Sequence, residues 1–358
     1  MMKTTCTSPR GWRRILPLLF GLLAVNQASV HANPSGPNVT HGNVRFNGLD
    51  TSSLNVHQGT KNAVINWQKF DIGPGEVTTF LQPGKTSVAL NRVNAGDPSA
   101  IYGSLRANGG VIVINPNGVV VHKGGIIDVG GLMMLSTLDV KDSDFLNGGG
   151  MRFRGSTKAG IRNYGAITSD AGDVVLLGNF LRNAGDVSAS AGTVAFGAGG
   201  DIIVNQAGGA TISVVAGGEG AATGIHNTGS VNAAAAEFAA HGNAYALAIR
   251  NDGLVRANGY QMKGGRLSFT AGSRGNVINT GDLYARNADG SGGRIAISGD
   301  RVEVSTGSMD ASGDTGRVGG SVAISGNVVA IGEPVDLKVG GSRGGEVSVT
   351  ATEAVEMA

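Results

Sequence analysis

Cysteine is missing from almost the whole chain: the single copy among 358 residues is Cys6. Disulfides therefore cannot hold the fold, and metal sites built on thiolates are excluded. Proline is scarce at nine residues and aromatics make up only 5%. The 61 glycines lack the three-residue period that collagen requires. Disorder would need few apolar residues, yet these reach 41% of the chain. No segment approaches the roughly 18 consecutive apolar residues of a transmembrane helix. A class that satisfies all these exclusions is a set of short strands separated by Gly, Asn and Asp corners.

The longest apolar run, Ile15 to Val25, follows Lys3, Arg10, Arg13 and Arg14 and precedes the small-residue stretch Val30-His31-Ala32. This is the anatomy of a secretory signal peptide over residues 1–32, the address read by the Sec export machinery. Four of the 28 basic side chains and none of the 26 acidic ones lie in that segment, which leaves 24 against 26 after its removal. A formal charge near −2 gives no reason to expect nucleic acid as a partner. Cys6 lies ahead of the apolar run, so the remaining chain has no cysteine.

From residue 160 the pattern apolar-x-Asn-x-Gly-x-apolar recurs as "IRNYGAI", "LRNAGDV", "IHNTGSV", "IRNDGLV" and, slightly altered, "VINTGDL". A looser copy, "IVNQAGGATI", falls at Asn205. The predicted column is Asn163, Asn183, Asn205, Asn227, Asn251 and Asn279, with steps of 20, 22, 22, 24 and 28 residues. A second element alternates with it, as "GGRLSFT", "GGRIAIS", "GGSVAIS" and "GGEVSVT". Such a period is one turn of a solenoid, and the alternation marks strands with one inward face. The leucine scaffold of a leucine-rich repeat is missing. The alanine-rich "NAAAAEFAAHGNAYALA" has no 3.6-residue stripe and reads as coil and strand. The prediction is an all-β, single-stranded parallel β-helix in which Asn and Gly occupy corners, Gly by tolerating positive φ and Asn by the same route or by laddering with its copies. Residues 33–60 carry alternating strands without a repeat and are predicted to cap the N-terminal end.

Between cap and repeats lie "INWQ" with Trp67, "FDIG" at Phe70, "LNRV" with Asn91 and Arg92, "INPNG" at Ile114 and "LSTLDV" at Leu135. In this order, over about residues 40–145, they resemble the haemagglutination-activity, or two-partner secretion (TPS), domain of filamentous haemagglutinins and high-molecular-weight adhesins. The resemblance implies a right-handed parallel β-helix, divided into a TPS domain at 33–150 and repeats at 151–358. It implies export from the periplasm to the surface of a Gram-negative bacterium, or into the medium. The partner would be an outer-membrane TpsB-type β-barrel transporter with POTRA domains. The implied role is a filamentous-haemagglutinin-like adhesin with an unidentified host or cell-surface ligand; the alternative is the export module of a contact-dependent toxin. The upstream Asn-Pro-Asn-Leu motif of one family branch is absent, and passengers of the family are usually longer.

The segment "VIVINPNGVVVHKGG" places Asn115, Pro116, Asn117 and Gly118 between two apolar runs. Asn first, Pro second and Gly fourth is the residue order of a type I turn. A two-residue Asn117-Gly118 hairpin is the alternative register, suited to antiparallel neighbours. Together with Asn91 and Arg92 these four residues are the candidate secretion determinants, acting by setting an export-competent fold. Folding rung by rung outside the cell would bias the chain against slipping back.

A β-helix can also host polysaccharide-acting enzymes. Asp139, Asp142 and Asp144 are close in sequence, but are expected to solvate a loop. The six histidines are scattered without zinc spacing. "PGKT" at Gly84 lacks the first glycine of a phosphate loop, and no Gly-x-Ser-x-Gly elbow or tandem calcium nonapeptide occurs. Catalysis, metals and cofactors are not expected.

Overall fold

The computed structural model describes residues 1–5, 32–94, 96–206, 209–217, 223–242, 245, 247–261 and 264–357. Two units separate, Met1–Val30 and His31–Ala358. In the first, the described residues 1–5 carry no regular structure, and the expected apolar export segment lies outside the described residues.

The second unit is a parallel β-helix whose turns contribute a strand to each of three faces. Face one contains Ser53–Gln58, Val77–Leu81, Ser104–Ala107, Ile126–Val129 and Ala166–Ser169 in parallel register. Face two contains Asn62–Trp67, Val88–Val93, Gly110–Ile114, Met133–Ser136 and Val174–Gly178. Face three contains Ser99–Ile101, Val119–Val121, Ile161–Asn163, Leu181–Asn183, Thr223–Asn227, Leu247–Asn251 and Val277–Asn279. Longer strands such as Asp186–Ala198 and Ser230–Ala240 run through a bend from face one to face two. The alanine-rich stretch therefore enters strand as far as Ala240. Successive rungs lie about 4.8 Å apart, so each backbone is paired above and below.

The N-terminal end is closed by antiparallel pairing. Asn38–His41 lies on Asn62–Trp67, and Val44–Asn47 lies on Ser53–Gln58. The cap is shorter than the predicted 33–60, because Ser53–Gln58 already belongs to the helix and pairs in parallel with Val77–Leu81.

Two excursions leave the helix at the same point of a turn, between faces two and three. They pair with one another as a four-stranded antiparallel sheet of Asp139–Val140, Met151–Arg154, Asp201–Asn205 and Thr211–Ala216. The six-residue helix Asp142–Asn147 belongs to the first excursion. This layer covers the outside of face two and produces a second core. The first core fills the helix with Val111, Val113, Leu135, Val174, Phe196 and Phe238 among others. The second packs Ile112, Met134, Val175 and Ala195 beneath Phe145, Met151, Phe153 and Ile202. Strands such as "VIVI" are thus apolar on both sides because both sides are buried.

Candidate functional site

Asn115 is fully buried at the corner between faces two and three. The Gly118 amide donates to the Asn115 carbonyl at 3.0 Å, closing a four-residue turn. The Asn115 side chain accepts from the Asn117 amide at 2.9 Å. Its Nδ2 donates to the Asp97 carbonyl and to Ser99 Oγ, both at 3.0 Å. One side chain therefore shapes its own corner and fastens the corner one rung earlier. Pro116 and Asn117 are exposed. Gly118 has φ +116°, a region that side chains with a Cβ rarely adopt. Among the described residues, the flanking strands Gly110–Ile114 and Val119–Val121 pair with strands of other rungs, in parallel, and not with each other as the hairpin register requires.

Asn91 and Trp67 form the second lock. Both are fully buried, and Trp67 Nε1 donates to Asn91 Oδ1 at 2.9 Å. Asn91 Nδ2 donates to the carbonyls of Ala89 and Ile112 at 3.1 Å. Phe46 and Phe70 meet the indole edge to face, with centroids 5.4 and 5.8 Å away. A buried polar side chain is tolerable only when its groups are satisfied, and here the "INW" and "LNRV" motifs satisfy each other.

Arg92, the next residue, points outward and holds the first excursion. Its Nε lies 2.7 Å from Asp139 and its Nη1 2.5 Å from Asp142, while Nη2 donates to the Val140 carbonyl. Burial disfavours the Arg92 cation, but the hydrogen bonds to Asp139 and Asp142 outweigh it and hold its pKa above the ordinary value. The three aspartates do not solvate a loop as expected: Asp139 sits in a strand, Asp142 and Asp144 open the short helix, and two of them anchor to Arg92. The second excursion is fastened similarly, with Arg152 2.5 Å and Arg154 3.1 Å from Asp201. The Arg152 hydrogen bond holds the Asp201 carboxyl below its usual range.

The corner column of face three is a continuous side-chain ladder. Asn163 donates to Asn183 at 2.8 Å, Asn183 to Asn227 at 2.7 Å, Asn227 to Asn251 at 2.7 Å and Asn251 to Asn279 at 2.8 Å. Val121 precedes the ladder in register and Val304 follows it. Asn205 does not belong to it. The structure places Asn205 at the end of an excursion strand, exposed and paired with Thr211. The turn from Asn183 to Asn227 is 44 residues long because it contains that excursion, and Asn205 divided it into two apparent periods. The glycines following the ladder asparagines also have a different cause from the predicted one. A Cβ on Gly185 would lie 2.1 Å from the Gly165 carbonyl oxygen, and one on Gly229 would lie 2.1 Å from that of Gly185. Close stacking of rungs, rather than positive φ, demands glycine there.

Sequence reasoning singled out Asn91, Arg92 and the corner, which the structure shows as tertiary contacts, but missed the partners Trp67–Asn91 and Arg92–Asp139. The signal for the covering layer was present in the two-faced apolar strands "VIVI" and "VVLL".

Residues 30–285 match the family described as the TPS secretion domain. The chain belongs to this family. Residues 30–285 are thus a secretion domain of the kind found in two-partner-secretion exoproteins. The match crosses residue 150, as do the parallel sheets, which pair Val119–Val121 with Ile161–Asn163. Among solved structures, the HMW1 secretion domain from Haemophilus influenzae is similar with a TM-score of 0.67 at 22% identity, over 91% of this chain and 100% of that one. This likeness supports the β-helix. Two curated proteins from the same organism, each called heme/hemopexin-binding protein, are similar at 34% identity over 181 residues and 39% over 106. Those stretches are 49% and 30% of this chain, but only 20% and 11% of the relatives, so the chain spans about a fifth or less of their length.

Proposed function

We propose that this TPS secretion domain is exported by Sec through the signal segment 1–32 and is then engaged in the periplasm by the POTRA domains of its TpsB-type barrel. Beyond the outer membrane it folds onto its cap one rung at a time. Each rung buries apolar surface and pairs the strand before it, which opposes backward slippage. Recognition lies within 33–150, and 151–358 extends the folded helix. The supporting observation is that Asn91, Arg92 and Asn115 each tie together segments from different rungs, so this region sets the register on which later rungs stack. Pro116 and Asn117 shape the corner and need not touch the transporter.

The test is co-expression of the chain with its candidate barrel, measuring the chain in the medium. Export is expected only with the barrel, and to fall sharply for P116A/N117A. Equal export without the barrel, or normal export of the double variant, overturns the proposal.

The cargo reading supported by the curated relatives is a heme- or hemopexin-binding exoprotein rather than the adhesin expected from the sequence, because both relatives carry that name. The exported exoprotein is expected to retain hemin or hemopexin on an affinity matrix. Retention of neither, with adherence to host cells, returns the reading to an adhesin; inhibition of neighbouring bacteria returns it to a contact-dependent toxin.

A further inference from the structure

The outward positions of face three place Arg162, Arg182, His226 and Arg250 in register on four successive rungs. Like charges directly opposite on neighbouring strands repel. At the later two rungs the Arg250 charge is balanced from within: Asp252, the middle residue of the corner Asn251-Asp252-Gly253, lies 2.7 Å from Arg250 Nε and 2.9 Å from His226 Nε2. Burial alone would raise the Asp252 pKa, but hydrogen bonds from Arg250, Thr280 and His226 bring it down to about 2.

The pair Arg162 and Arg182 has no such relief. The position equivalent to Asp252, in the corner Asn183-Ala184-Gly185, is Ala184. Among the described residues no ion pair reaches either arginine. Arg182 donates instead to the carbonyls of Leu181 at 2.9 Å and Thr223 at 3.1 Å. Both guanidinium groups lie over the Phe180 ring, 4.7 Å from its centroid for Arg162 and 5.3 Å for Arg182. The ring fits because residue 160 is glycine; a Cβ there would lie 2.7 Å from Phe180 Cδ2. Burial and the charge of Arg162 push the Arg182 pKa below its ordinary value. Two cations thus stand in register on neighbouring rungs about one aromatic ring, next to exposed Tyr164, and the corner beside them carries Ala184 where Asp252 stands two rungs further on.

We propose that Arg162 and Arg182 form a site for a phosphate-class oxyanion, either free phosphate or the phosphate of an anionic lipid headgroup, which supplies the charge that Asp252 supplies two rungs further on. Paired guanidinium groups present planar forks of N–H donors that suit such an anion. Tyr164 beside them offers a hydroxyl and a ring of the kind found at membrane interfaces.

The test uses the full chain with inorganic phosphate by isothermal titration, and with phosphatidylglycerol or phosphatidylcholine vesicles by flotation. The decisive variant is A184D, which reproduces the Asp252 arrangement and fills the site from within. It is expected to weaken binding at least tenfold while the thermal midpoint holds or rises. R162Q/R182Q should lose binding with an unchanged circular dichroism spectrum. Binding of free phosphate identifies a soluble ligand; flotation with phosphatidylglycerol alone identifies a lipid headgroup. Either result supports the site. Binding of neither probe by the unaltered chain, or unchanged binding by A184D, overturns it.

Discussion

Face two is built in two ways along its length. From Asn62–Trp67 to Val174–Gly178 its strands are buried on both sides, with Val64, Leu90, Ile112, Met134 and Val175 turned outward into the second core. In Arg266–Thr270, Arg294–Ser298 and Ser321–Ile331 the outward residues are Ser268, Ala296 and Ala323, half-exposed, and only the inward residues are buried. The backbone register is the same in both regions. Period-two alternation is therefore a report on what covers a strand, not a requirement of the helix. The polar contacts differ in parallel: the early rungs carry single, non-repeated locks, whereas the later ones share a ladder that repeats along the axis.

The largest effect should come from removing a whole turn from each region. Deleting residues 102–121 takes out Asn115 and its corner and should prevent cooperative folding. Deleting 252–279 joins Asn251 directly to Thr280-Gly281, restoring the Asn-x-Gly corner, and should leave a stable helix. Circular dichroism and thermal melts of the two deletions decide; equal tolerance would abolish the difference between the two regions.

A charge placed on the outer surface of face two should be nearly as discriminating. Ile112→Lys puts an unpaired ammonium under the covering layer and is expected to cost about 3–5 kcal/mol. Ala296→Lys, at a half-exposed outward position, should change stability by no more than about 0.5 kcal/mol. Urea unfolding of the two variants measures the gap.

Within the ladder, position should matter. Asn227→Ala removes a donor from one neighbour and an acceptor from another, with an expected cost of about 2–3 kcal/mol, whereas Asn279→Ala breaks one ladder bond and should cost about 1–2 kcal/mol. Hydrogen exchange in the adjacent rungs should report the same order.

The smallest effect concerns acid. The Asp252 carboxyl is held at about 2 in the folded chain against 3.8 without its partners, so its stabilisation is complete above pH 3.8 and disappears as pH falls toward 2. The difference in melting temperature between the unaltered chain and Asp252→Asn should shrink over that window. A difference that stays constant from pH 5 to about 2 would remove Asp252 as its cause.

Part of the misreading of the repeat has a simple physical origin. Asn205 carries an Asn and a nearby Gly-Gly, and it falls midway through a turn lengthened by an excursion, so it mimics a corner by spacing alone. Its neighbours gave no local warning, because an excursion strand such as Asp201–Asn205 alternates like a helix strand. The cap was legible as a region without repeats, though not its last strand, since pairing partners and not composition assign Ser53–Gln58 to the helix.

The sequence by itself pointed to the β-helix, to a column of corner asparagines and to the sharp corner at Asn115, because alternation, a recurring Asn-x-Gly and turn chemistry are properties of a few adjacent residues; that Asn205 stands outside the column, and that the glycines are needed where rungs stack closely, came only from the tertiary structure. Only the tertiary structure decided that Arg92 grips Asp139 and Asp142, that Trp67 and Asn91 share a hydrogen bond, and that Ala184 leaves two arginines without the carboxylate Asp252 gives their neighbours. Those contacts join residues that stacking brings together from distant parts of the chain, and no short stretch of sequence carries their signature.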